Sequence, residues 1–169
     1  MIPRAVLIGP PGSGKTTIGT ALAEALGVGF RDTDTDIELA AGKPVSDIFV
    51  DDGEAHFRAL ERAAVREALA SHEGVLALGG GAVMAEETQL LLAGHRVVYL
   101  EVSLAEAVKR VGLNSARPLL VLNPRSQLRK LLDERLPVYE RLAEITASTT
   151  ERSAEEIVAE LVAALEEPR

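Results

Sequence analysis

Apolar positions along this chain fall into short runs and helical stripes that alternate. Residues 4–9, RAVLIG, form a run rich in Val, Leu and Ile that stops at glycine, the pattern of a buried strand. From Thr16 to Leu26 the apolar positions Ile18, Leu22 and Leu26 keep helical spacing, and Gly27 supplies a stop. Residues 28–30 predict a short second strand that runs into Asp32, Asp34 and Asp36. Residues 36–43 predict a short helix capped by Thr35 or Asp36, and residues 44–49 a turn. Residues 53–74 read as an amphipathic helix, with Phe57, Leu60, Ala64, Val65 and Leu69 on one side. A third strand, 75–78, meets Gly79, Gly80 and Gly81, and a fourth covers 96–102. Ser103 with Glu106, and Ser153 with Glu156, have the spacing of capping boxes that open two further helices. Residues 145–148 predict a fifth strand.

Strands alternating with helices predict an α/β fold with a parallel sheet covered on both faces. No repeat, low-complexity tract or linker divides residues 1–169, so a single domain is expected. Residues 111–126 break the regularity with Gly, Asn, Pro and two Arg, and predict a long loop, a candidate lid. Pro137 should break or restart the helix around it.

A net charge of −8 with pI near 5.0 argues against a nucleic-acid partner, since phosphate backbones are held by basic surfaces. The absence of cysteine excludes disulfides and thiolate metal sites. No apolar run approaches the length of a membrane span or signal peptide, so a cytoplasmic protein is expected. His56, His72 and His95 lack metal-ligand spacing and are expected to be exposed.

The chemistry is concentrated in residues 9–16, GPPGSGKT, which match G-x-x-x-x-G-K-[ST] between a strand and a helix. Glycines there let successive backbone N–H groups converge on phosphate oxygens at the positive end of the following helix. Lys15 would reach the β- and γ-phosphates, and the Thr16 hydroxyl would join a Mg²⁺ shell. This P-loop by itself does not choose among kinase, GTPase, motor ATPase and nucleotide switch. No Asn-Lys-x-Asp base-reading motif is present, and the third strand ends in glycines rather than an acidic residue. Glycines at the carboxyl end of a strand let a small ligand touch backbone.

Phosphoryl transfer needs a metal ligand, a group to orient or deprotonate the acceptor hydroxyl, and cations for developing charge. Asp32 and Asp34, read as alternate residues of one strand end, would serve the metal and the acceptor, while Asp36 would favour the next helix's dipole. Arg58 and Glu61 are one turn apart on a helix, Arg117 lies in the long loop, and Arg135 sits beside Pro137. Planar guanidinium forks bind phosphate or carboxylate, so three arginines with three glycines suggest a small, polyhydroxylated, anionic acceptor.

These residues resemble the shikimate kinases, most closely the actinobacterial members. The similarity rests on GPPGSGKTTIG (9–19), DTD (32–34), DIFVDDGEAHFR (47–58), LGGGAV (78–83), RPLL (117–120) and RLPVY (135–139). It implies a P-loop NTPase fold of the nucleoside monophosphate kinase type, three layers α/β/α around a five-stranded parallel sheet, in one kinase domain. The acceptor region would span about 32–61 and the lid about 112–124. It implies transfer of the ATP γ-phosphate to the 3-hydroxyl of shikimate, on the way to chorismate and the aromatic amino acids, with one Mg²⁺ ion. Asp34 would be the base, with Lys15 and Arg117 stabilising charge. ATP would lie on Gly12, Ser13, Gly14, Lys15, Thr16 and Thr17, with Arg110, Arg117 and Arg152 at the nucleotide and Thr16 and Asp32 at the metal. Arg58 and Arg135 would clamp the carboxylate, with Glu61 orienting Arg58 and Gly79, Gly80 and Gly81 meeting substrate through backbone. Phe49, Phe57 and Leu119 would wall the ring. The pattern departs at Ser148 and Ala154, where an acidic residue and a proline are expected. A monomer that binds neither nucleic acid nor membrane is expected. The alternatives are a gluconate or nucleoside monophosphate kinase, or a non-catalytic nucleotide-binding module.

Overall fold

The computed structural model describes residues 2–112 and 124–168. In chain order the elements are β1 (Ala5–Ile8), α1 (Lys15–Leu26), β2 (Phe30–Asp32), α2 (Thr33–Ala41), α3 (Val45–Asp52), α4 (Glu54–Ser71) and β3 (Val75–Ala77). A 3₁₀ turn (Ala82–Met84) follows, then α5 (Glu86–Leu92), β4 (Val97–Glu101), α6 (Leu104–Gly112), α7 (Pro124–Leu142), β5 (Ile145–Ser148) and α8 (Ala154–Glu166). Among the described residues the sheet has five strands in the order β2-β3-β1-β4-β5, and every neighbouring pair is parallel.

Strand β1 is central, with Val6 opposite Leu76 on one side and Val97 on the other, so all four of its residues are buried. Alternation then divides the core. Ala5 and Leu7 face Leu22 of α1 and Ile157 and Leu161 of α8, while Val6 and Ile8 face Val65 and Leu69 of α4 and Tyr139 of α7. The result is the expected three-layer α/β/α arrangement. A smaller cluster of Ile37, Ile48 and Phe57 ties α2 and α3 to α4. This topology brings the carboxyl ends of β1, β2 and β3 to one rim of the sheet, where open α/β sheets bind ligands.

Several local expectations are corrected. The second strand is Phe30–Asp32, not residues 28–30, because pairing with Val75–Ala77 sets its limits. Hydrophobic spacing missed Arg31 because β2 is an edge strand. Its guanidinium turns to Asp36 at 2.6 Å and also meets Glu67 and Ser71. Asp34 therefore lies in the first turn of α2 rather than on a strand, and the cap is Asp32, not Thr35 or Asp36. Residues 45–52 form a helix instead of a turn. Its first N–H is satisfied by the Glu38 carboxylate, 2.8 Å from Val45 N and seven residues upstream, a capping partner no local motif announces.

Pro137 neither breaks nor restarts its helix: α7 runs from 124 to 142 through it. The missing N–H costs one backbone bond, which burial of Leu128 and Tyr139 on the same helix offsets. The box at Ser153 is complete, but that at Ser103 is half formed. Glu106 N donates to Ser103 Oγ, whereas Ser103 N donates to Thr150 Oγ1 and the Glu106 carboxylate takes Arg110. His56 is exposed, but His72 and His95 are half-buried, and His72 Nε2 lies 3.1 Å from Val75 O. Of the residues read as a loop, 111–112 belong to α6 and 124–126 to α7; residues 113–123, with most of the candidate lid, lie outside the described residues. Among the described residues no helix is long and apolar enough to cross a membrane.

Candidate active site

Strand β1 delivers the chain to Gly9, where a Cβ would stand 2.7 Å from Leu100 O and 2.9 Å from Ser13 Oγ, so only glycine fits. Ser13 is buried beneath the loop. The loop ends at Gly14, the cap of α1, in the left-handed region at φ 91° and without any side-chain cap. The first turn of α1 also carries no acidic residue, leaving its backbone N–H groups and positive dipole end for an anion. Lys15 Nζ donates to Gly9 O at 2.7 Å and Pro10 O at 3.1 Å, so the ammonium spans the loop.

The end of β2 brings in Asp32, whose two oxygens have separate tasks. One accepts from Asp34 N at 2.9 Å and caps α2, while the other lies 3.3 Å from Thr16 Oγ1. Burial, and then the charge of Asp34, hold the Asp32 carboxyl above the usual carboxylate range. The Thr16 hydroxyl and the adjacent Asp32 carboxylate together offer oxygen ligands of the kind a hard cation takes.

The end of β3 supplies the floor. A Cβ on Gly79 would stand 2.8 Å from Asp34 Oδ1 and 2.9 Å from Glu61 Oε2. One on Gly80 would meet Pro11 Cδ at 3.0 Å and Arg135 Nη1 at 3.3 Å. One on Gly81 would lie 2.7 Å from Arg58 Nη2 and 2.9 Å from Arg135 Nη2. The glycines thus let two carboxylates and two guanidiniums close directly onto backbone.

Arg58 donates to Glu61 at 2.7 Å, reaches Glu54 at 3.6 Å, and lies 5.4 Å from the centre of the Phe57 ring. Burial raises the Glu61 carboxyl above its ordinary range, against the opposing pull of Arg58. Arg135 is 8% exposed, and its charge, like that of Arg58, pulls on the Glu61 carboxylate. Two guanidiniums facing one buried carboxylate leave positive charge for a further anion.

Gly12, Gly14, Lys15, Thr16, Thr17, Asp32, Asp34, Gly79 and Arg110 line one cavity of about 450 Å³. Arg58, Glu61, Gly80, Gly81 and Arg135 adjoin it beyond Gly79. Phe49 packs on Phe57 at 4.8 Å between ring centres, with Phe57 buried in the core and Phe49 partly open. Arg110 braces the phosphate loop, donating to Gly12 O at 2.8 Å and to Thr149 O at 3.2 Å. Arg152 stands apart from the lining and bonds Ser148 O and Glu160. Arg117 and Leu119 lie outside the described residues. Sequence reasoning missed Glu38, Pro44, Val45 and Ser46 at the cavity wall, because the α2–α3 junction that presents them depends on the long-range cap from Glu38.

Comparison with known proteins agrees with this arrangement. The shikimate kinase family model matches residues 11–166. A shikimate kinase of Thermobifida fusca is 66% identical over 95% of this chain and 93% of its own. One from Salinispora arenicola is 61% identical over 98% of this chain and 99% of its own. The solved shikimate kinase of Acinetobacter baumannii, in complex with shikimate, superposes with a TM-score of 0.93 at 35% identity, covering 98% of this chain and 93% of that one. With the family model and identities of this level spanning nearly its whole length, the chain belongs to the shikimate kinase family.

Proposed function

We propose that this chain is an ATP-dependent kinase that phosphorylates the 3-hydroxyl of shikimate, releasing ADP. The observation that carries the reading is the junction at Gly79. A phosphate loop and a carboxylate lie on one side of it, and two guanidiniums over bare glycine backbone lie on the other. An acceptor with a hydroxyl at one end and a carboxylate at the other suits that junction.

The backbone of residues 12–17 would hold the phosphates, and Lys15 would move from its loop carbonyls to the γ-phosphoryl group. Asp34 would accept the proton as the acceptor oxygen bonds to the γ-phosphorus and the bond to ADP breaks in line. Arg58, held by Glu61, and Arg135 would clamp the carboxylate, with Phe49 against the ring and Phe57 behind it. Arg110 would support the nucleotide side through the phosphate loop. Thr16 would hold Mg²⁺, with Asp32 acting through its water shell. When bound with ATP, that ion neutralises the developing phosphate charge.

The test is ADP release from Mg·ATP with shikimate, gluconate, AMP, CMP or no acceptor. Strong stimulation by shikimate alone is expected. Stimulation by gluconate or a nucleotide instead would reassign the acceptor pocket, and equal slow release with every acceptor would reduce the chain to a nucleotide-binding module.

A further inference from the structure

Three adjacent glycines make a poor platform for recognition unless something stops their peptides from rotating. Here every carbonyl of the triplet is held. Gly79 O accepts from Ala82 N and Gly81 O from Met84 N, both at 3.1 Å, within the 3₁₀ turn. The middle carbonyl has no such local partner. Gly80 O accepts instead from the Tyr139 hydroxyl at 2.6 Å, across 59 residues of sequence.

Tyr139 is fully buried on α7, and its ring stacks on Tyr99 of β4 at 5.2 Å between centres and 19° between planes. The ring is therefore located by the sheet and the hydroxyl by the ring. Arg135 sits one turn earlier on the same helix, so the same bond also sets α7 against the glycine floor.

We infer that the Tyr139 hydroxyl is a positioning group for the phosphoryl acceptor, fixing the Gly80–Gly81 peptide plane and the register of Arg135 above it. The Gly80 carbonyl and the Gly81 N–H belong to one trans peptide and point in opposite directions. A carbonyl bonded to the buried phenol turns that N–H away from Tyr139, at the residue that packs against both guanidiniums. Without the hydroxyl, no Cβ at 80 or 81 resists rotation of the plane, and its buried oxygen seeks another donor. This inference rests on the acceptor reading above.

The test is Tyr139→Phe in the full chain, with steady-state kinetics for both substrates and shikimate binding measured by calorimetry. The shikimate KM and Kd are expected to rise about three- to 12-fold, as for one neutral hydrogen bond, while the ATP KM stays within about twofold. The melting temperature should fall by about 2–8 °C. Ile157→Val, in the core on the opposite face of the sheet, controls for lost stability and should leave the shikimate KM unchanged. Placing p-aminophenylalanine at 139, which restores an N–H donor, should recover most of the shikimate affinity.

A phenylalanine variant with wild-type shikimate Kd, or one whose ATP and shikimate KM rise together, overturns the inference while the acceptor reading stands. A wild-type chain that shikimate does not stimulate overturns both.

Discussion

Replacing Gly81 by alanine tests whether the glycine floor exists to let the arginines close. The backbone there has φ −97° and ψ −2°, which alanine adopts without strain, so the effect is purely steric. The new Cβ would stand 2.7 and 2.8 Å from the Arg58 terminal nitrogens and 2.9 Å from Arg135 Nη2. Ordinary contact is about 3.5 Å, so each guanidinium must retreat by roughly 0.6–0.8 Å. Both are the far ends of flexible side chains, so retreat costs the fold little, and the loss appears in binding. Weakening one charge-assisted contact to the acceptor carboxylate costs about 1.5–3 kcal/mol, or about 10- to 100-fold in affinity. The shikimate KM should rise by that factor, with the ATP KM within about twofold and the melting temperature within about 3 °C. Initial-rate kinetics with each substrate varied, together with a thermal melt, provide the check. A Gly81→Ala enzyme with unchanged shikimate KM would refute the idea that these guanidiniums bind the acceptor at this floor.

Other outcomes follow from the same geometry. Asp34→Asn should lower kcat by about 10²–10⁴ while ATP binding holds, and near wild-type turnover would remove Asp34 from the proton-accepting role. Arg135→Ala should raise the shikimate KM with little change for ATP; an effect confined to ATP would contradict the clamp. Asp32→Asn keeps the cap of α2, because asparagine caps as well as aspartate, but deletes a charge that burial disfavours. The folded-state carboxyl of Asp32 is raised. Its stabilising contribution is therefore full below the unfolded-state pKa and lost as pH rises through the folded-state value. The asparagine variant should accordingly melt higher than wild type near neutral pH, with the gain shrinking as the pH falls toward the unfolded-state pKa, while Mg²⁺-dependent activity falls. Equal melting curves at every pH would refute the argument.

Much of the site was legible in the sequence because its chemistry is local. A phosphate loop needs glycines, a lysine and a hydroxyl within eight consecutive positions between a strand and a helix, and residues 9–16 carry them in that order. The three inner strands β1, β3 and β4 were also readable, as apolar runs that are buried on both faces of a parallel sheet. Arg58 and Glu61 could be paired from helical spacing alone, and the ion pair is present at 2.7 Å.

What failed depended on partners remote in sequence. The start of α3 is capped from Glu38, the edge strand β2 carries an arginine satisfied by α2 and α4, and α7 runs through Pro137 with Tyr139 buried against Tyr99 of β4. Asp32, Asp34 and Asp36 look equivalent as letters. In the fold, one faces Thr16 and caps a helix, one meets the glycine floor, and one pairs with Arg31. Which residues can do chemistry is a property of side-chain type and short spacing, and the sequence determined that. Which oxygen faces which donor depends on how strands and helices separated by tens of residues come to rest against each other, and only the tertiary structure decided it.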